Sequence, residues 1–128
     1  MVPETNTSDY NHRNFKSWGE EQIGRLLERN NISYQYEYPL AILKRGNVRL
    51  YYPDFRLPQH GGILIEYLGR EGDPAYDGSA ERKIQTYHDA GIDCLFLTRD
   101  SLRGNWPDDI LGRIEDILKG RLERFYRH

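Results

Sequence analysis

A chain of 128 residues with a formal charge of −2 has the size of one domain and the length to bury a core, and it lacks the pervasive positive charge of a protein that grips nucleic acid over its whole surface. Its single cysteine, Cys94, excludes an intrachain disulfide, and its four histidines (His12, His60, His88 and His128) lack zinc-ligand spacing. With no apolar run near the ~20 residues that span a bilayer, and no signal peptide ahead of the first element, the expectation is a cytoplasmic protein without a membrane partner.

Residues 1–16 are polar and rich in Asn, Ser and Thr, which predicts a flexible N-terminal arm ahead of one domain over residues 17–128. From Ser17 the pattern turns helical, with Ile23, Leu26 and Leu27 on one face and Asn30–Asn31 as the stop. Glu20 lies three residues before Ile23 and seven before Leu27, so it shares the inward face, whereas Glu21 is rotated about a hundred degrees away. Ser17–Trp18–Gly19–Glu20 also fits a capping box, which is a purely structural reading of the same glutamate.

The run Tyr34–Leu43 alternates aromatics and predicts a first strand interrupted at Pro39. A turn at Lys44–Asn47 would fold it antiparallel onto the strand that carries Asp54. Glu37 reads better as an exposed or arginine-paired glutamate than as a site residue.

Over Arg49–Gly69 the period of two places Tyr51, Pro53, Phe55 and Leu57 on one face and Leu50, Tyr52, Asp54 and Arg56 on the other. After the Pro58–Gly62 turn, Ile63, Ile65 and Tyr67 share a face opposite Leu64, Glu66 and Leu68. This second strand is apolar on both faces except at Glu66, the pattern of a central buried strand. An ionised carboxylate there needs compensation from an arginine, a hydrogen-bond network or a metal ion. A second acid, Asp54, on the facing strand favours a cation, because close carboxylates repel unless a proton or a metal holds them. Oxygen donors without Cys or His suit magnesium or manganese.

Gly69–Pro74 reads as a loop beside Glu66, where Arg70 would either meet a phosphate or be solvated. A helix is predicted over Ser79–Ala90, ending at Gly91, with an inward stripe of Ala80, Ile84, Tyr87 and Gly91. Lys83 falls within that stripe, where lysine is normally kept out or reaches for the edge. Ile92–Thr98 reads as a buried strand that the helix would make a parallel neighbour. Pro107, Asp108 and Asp109 suit the first turn of a last helix packed through Ile110, Ile114, Ile117, Leu118, Leu122 and Phe125. Its other side carries Arg113, Lys119, Arg121, Arg124 and Arg127, an ordinary solvated face that would also suit a polyanion. The expected fold is α/β with a mixed sheet, in the order α-β-β-β-α-β-α.

Pro53–Asp54 at the end of one strand, a short turn, and an apolar strand ending Glu66–Tyr67–Leu68 resemble the PD-(D/E)xK nuclease superfamily. The resemblance extends from about Ser17 to the last helix and departs from the pattern at Leu68, which stands where the motif has lysine. In some branches of the superfamily the lysine has moved to the following helix, and Lys83 is the matching position. The resemblance implies a restriction-endonuclease-like core and a magnesium- or manganese-dependent endonuclease acting on nucleic acid, DNA rather than RNA. Glu20, Asp54, Glu66 and Lys83 would be catalytic, with Asp54, Glu66 and the Tyr67 carbonyl as metal ligands and Glu20 reaching the metal directly or through water. Arg70 and Tyr87 would meet the nucleic acid. Tyr87 reads equally as a lysine-holding or core residue. A homodimer would suit cleavage of both strands. The alternative is a catalytically inactive binding module of the same fold, or a subunit of a repair or defence complex, in which Asp54 and Glu66 form a structural cluster with Arg56.

Overall fold

The computed structural model describes residues 15–69 and 74–126. Helix α1 (Trp18–Arg29) begins where Ser17, in extended backbone, accepts the Glu20 N–H on its side chain at 3.2 Å. It stops at Asn30, whose side chain and main chain both return to Leu26 O, and Asn31 follows with φ 56°. Five strands come next: β1 (Gln35–Tyr36), β2 (Leu40–Lys44), β3 (Asn47–Tyr51), β4 (Phe55–Leu57) and β5 (Ile63–Tyr67). Helix α2 (Pro74–Asp89), strand β6 (Cys94–Leu97), a 3₁₀ turn (Arg99–Leu102) and helix α3 (Trp106–Tyr126) complete the described order.

The main sheet has the order β1-β4-β5-β6, antiparallel except for the parallel β5–β6 pair that the α2 crossover allows. Strands β2 and β3 form a separate two-stranded hairpin. The fold is thus a mixed α+β arrangement with three helices, a four-stranded mixed sheet and a hairpin among the described residues.

Proline interrupts both predicted strands, at Pro39 as expected and also at Pro53. Proline donates no hydrogen bond to a ladder. The first run breaks around Pro39, after Glu37 turns with φ 56°, so β1 and β2 belong to different sheets. The run Arg49–Leu57 breaks at Pro53, so Asp54 lies in the joint between β3 and β4 instead of within a strand. The Lys44–Asn47 turn therefore joins β2 to β3, and it is β1 that pairs beside Asp54, with Tyr36 opposite Phe55. The Glu37 N–H also donates to Asp54 O at 3.1 Å, fixing that joint to the end of β1.

Strand β5 is buried along its whole length and separates two apolar layers. On one face Ile63, Ile65 and Tyr67 pack with Ile23, Leu26 and Leu27 of α1 and Ile110 and Ile114 of α3. On the other, Leu64 packs with Ile42 of the hairpin and Tyr87 of α2, joined by Tyr51, Cys94 and Phe96. Each such side chain contributes about 1.5–3 kcal/mol by leaving water.

Three further expectations change. Helix α2 starts at Pro74 instead of Ser79, since proline is well suited to a first helical position. Its inward stripe is rotated toward buried Thr86 and leaves Ile84 exposed, because the hairpin lies on the Thr86 side, where Lys44 Nζ donates to Thr86 Oγ1 at 3.0 Å. Helix α3 outruns the core: Arg121 clamps it to Asp93 at 2.8 Å and to Gly61 O at 2.8 Å, while Leu122 and Phe125 beyond that clamp are exposed. Arg121 is therefore bound to the main body instead of lying on a free solvated face.

Phe15 and Lys16, counted with the arm in the sequence, pack against it: Phe15 meets the Tyr36 and Phe55 rings, and Lys16 pairs with Glu37. Residues 1–14 lie outside the described part. Among the described residues no helix is long and apolar enough to cross a membrane.

Candidate active site

Asp54 leaves β3 behind it and is caught by the strand across from it. Its Oδ2 accepts the main-chain N–H of Tyr67 at 2.7 Å, in the residue directly after Glu66. Both carboxylates are buried, Asp54 at 6% and Glu66 at 2% exposure. Burial, then the neighbouring Glu66 charge, push the Asp54 carboxyl up to about 7 against the relief given by the Tyr67 N–H. Burial also raises Glu66, opposed first by the Lys83 charge and then by the Tyr87 hydroxyl.

Those two partners reach Glu66 from α2. Lys83 Nζ lies 3.5 Å from Oε1, and the Tyr87 hydroxyl donates to Oε2 at 2.8 Å. Residues four apart on a helix share a face, so Lys83 and Tyr87 address one carboxylate together. Lys83 remains a third exposed at its side chain, whereas Tyr87 is 1% exposed. The position expected to contact nucleic acid is thus a core tyrosine that orients Glu66, since a hydroxyl so buried cannot meet a phosphate.

Glu20 is buried on α1, as its register predicts, yet it stands to one side. Its Oε1 accepts from the Tyr36 hydroxyl and from the Lys16 main-chain N–H, while its charge still adds to the upward push on Asp54. Only the serine half of the capping box forms toward Ser17, because the Glu20 carboxylate is drawn to Tyr36 on β1. Beside it, Lys16, Trp18, Glu20, Tyr67 and Arg99 line an open cleft of about 530 Å³, with the Arg99 guanidinium 5.2 Å from the Trp18 ring.

Sequence reasoning missed Lys16, Tyr36, Trp18 and Arg99. The alternation of Tyr34, Tyr36 and Tyr38 was the available signal, since a period of two puts Tyr36 on the face of Tyr34, and both rings meet Phe55. Arg56, proposed as a structural partner of the acids, donates instead to Gln35 at 2.7 Å. Arg70 lies outside the described residues.

The arrangement therefore unites Asp54, Glu66 and Lys83, with Tyr87 behind them and Glu20 at the margin. Among the described residues no three His, Cys, Asp or Glu side chains converge as a metal-binding group, so Glu20 does not join the pair directly. The donor chemistry still fits a hard divalent cation: two buried carboxylates lie side by side, and among the described residues Lys83 pairs with Glu66 alone and Asp54 forms no ion pair. Compared with known proteins, the chain matches no family model, no curated protein and no solved structure.

Proposed function

We propose that this protein is a metal-dependent DNA endonuclease of the PD-(D/E)xK kind, built on a restriction-endonuclease-like core, with Lys83 serving in place of the strand lysine absent at Leu68. One observation carries the reading: two buried, mutually repelling carboxylates, Asp54 and Glu66, with Lys83 3.5 Å from the second. The crossover from β5 through α2 to a parallel β6 supports it, since that connection brings the lysine of the helix back to the acid of the strand.

In this reading Asp54, Glu66 and the Tyr67 carbonyl would hold magnesium or manganese, which when bound would supply an acidified water and positive charge for the phosphoryl oxygens. The Tyr67 N–H holds Asp54 in place, and Tyr87 fixes the rotamer of Glu66. Lys83 orients the attacking water or stabilises the charge that grows on the phosphate, a role that gains strength in a site shielded from solvent. Glu20, positioned by Tyr36, acts through water.

The test is cleavage of supercoiled plasmid and labelled single-stranded DNA and RNA with magnesium, manganese or EDTA, for wild type, Asp54→Ala and Lys83→Ala. Metal-dependent cleavage that both variants lose supports the assignment. A second reading, an inactive binding module, draws on Glu66 being already served by Lys83 and Tyr87. No cleavage of any substrate, together with no metal binding by calorimetry, would establish it instead.

A further inference from the structure

A cavity of about 220 Å³ between the β2–β3 hairpin and α2 adjoins one of about 230 Å³ lined by the hairpin alone, and the two share Lys44 and Arg49 as walls. Arg45 closes one of them and Arg82, Lys83 and Thr86 the other, and no carboxylate lines either. Five cations thus gather on one groove of a chain whose formal charge is −2. Arg45, Arg49 and Arg82 are exposed and make no ion pair with a described residue. Lys44 directs a proton to Thr86 and has two more to offer.

The molecule treats its arginines differently elsewhere. Arg103 and Arg113 line a cavity with Asp100, Asp108, Asp109 and Asp116, and Arg103 pairs with Asp100 at 3.2 Å. Lys83 has Glu66 beside it and Asp89 lines a further cavity with Lys44 and Arg45, which leaves Arg49 and Arg82 as the cations without an acid among the described residues; a polyanion relieves the repulsion among these charges while releasing its own counterions. The groove walls are also set in advance: Ile42 and Tyr87 share a core, and the Tyr51 ring meets Tyr87 edge-on at 5.9 Å. Lys83 belongs both to this groove and to the Glu66 contact, so one side chain links the groove to the buried carboxylates.

We propose that this groove is a phosphate track that holds the DNA backbone beside the bond to be cut, with Arg49 and Arg82 gripping phosphates from opposite walls. The proposal rests on the nuclease reading for its substrate, and it adds the element that binds that substrate. It reads charge and spacing, so it predicts affinity without sequence preference.

The experiment is fluorescence anisotropy of a short labelled DNA duplex with wild-type protein in EDTA, over a range of salt, against two double variants of equal charge change. Arg49→Ala/Arg82→Ala alters the groove, and Arg103→Ala/Arg113→Ala alters the acid-lined cavity. The groove variant is expected to lose about tenfold or more in affinity at low salt and to show a salt dependence shallower by about two. The second variant is expected to bind as wild type does. Equal loss in both variants, unchanged binding by the groove variant, or no binding by wild type would overturn the proposal. Because binding is read without metal, cleavage in magnesium reports on the nuclease separately: an active enzyme with an indifferent groove variant removes only the track, and a selective binding loss without any cleavage removes only the nuclease.

Discussion

The Tyr87 hydroxyl donates to Glu66 at 2.8 Å from one turn beyond Lys83, so one helical face supplies both a neutral and a charged partner to one buried carboxylate. Tyr87→Phe keeps the ring against Tyr51 and Phe96 and removes only the donor. Leaving a buried carboxylate short of a hydrogen bond costs about 1–3 kcal/mol. Thermal melting at neutral pH in EDTA is expected to show that loss, and metal-dependent cleavage should fall with it. Melting equal to wild type would mean that the hydroxyl contributes nothing to holding Glu66.

Stability should depend on pH through Asp54. Its folded-state value of about 7 stands above the ordinary ~3.9, so the folded protein holds this proton more tightly than the unfolded chain. The contribution is complete below about pH 4, declines as pH rises toward 7, and is lost above it, by a few kcal/mol; Glu66 is shifted in the same direction. Asp54→Asn keeps an acceptor for the Tyr67 N–H and removes the charge. At pH 8 in EDTA the variant is expected to melt above wild type, and at pH 4 to match it. A lower melting point for the variant at pH 8 would contradict the burial argument.

Metal should reverse that penalty. Magnesium or manganese at about a hundred times its dissociation constant stabilises a one-site protein by about 2.7 kcal/mol. The rise in melting temperature is expected for wild type at pH 8, to shrink at pH 5 where protons compete, and to vanish in Asp54→Asn. Calorimetry should show proton release on binding. A metal response that survives in the variant would place the ion elsewhere.

Lys83→Ala separates chemistry from folding. Its side chain is a third exposed and its ion pair long, yet its charge is the first relief for buried Glu66, so melting at neutral pH in EDTA should fall by about 1–3 kcal/mol, as in Tyr87→Phe. Removing one aligned electrostatic group from an active site costs about a hundredfold or more in turnover. The expected outcome is a melting loss no larger than that of Tyr87→Phe, with cleavage reduced by at least that factor. Full activity would remove Lys83 from the mechanism and leave the gap at Leu68 unfilled.

Gly19 lies on α1 where a methyl group would overlap the Tyr67 ring. Alanine is the better helix former by about 1 kcal/mol, yet displacing Tyr67 strains the residue whose N–H holds Asp54. Gly19→Ala is expected to lower the melting temperature despite its helix propensity. A gain in stability would show that Tyr67 has room to move.

How far the sequence disclosed this arrangement depends on how local each signal is. Glu66 was legible because a single acid interrupts an otherwise apolar strand, and Lys83 because a cation interrupts an inward stripe. Ser17 and Asn30 marked the ends of α1 through their own side chains. The position of Asp54 in a joint was not legible, because a period of two continues smoothly through Tyr52 and Asp54 even where the chain leaves the sheet. Thr86 in place of Ile84 depends on which side of α2 the hairpin covers. The partnership of Tyr36 with Glu20 depends on β1 lying beside the start of α1. Neither relation is encoded within a single element.

Tyr36 and Phe55 face each other as a register pair, although residues 37–54 separate them in the chain. The sheet would keep its pairing if that excursion were longer, shorter or differently composed, since loop-closure entropy grows only slowly with length. The hairpin borne on the excursion is held by other means, through Ile42 and Tyr51 against Tyr87, so its position is tied to the helix that carries Lys83. Asp54, the last residue before the pairing resumes, is where that excursion rejoins the sheet that carries Glu66.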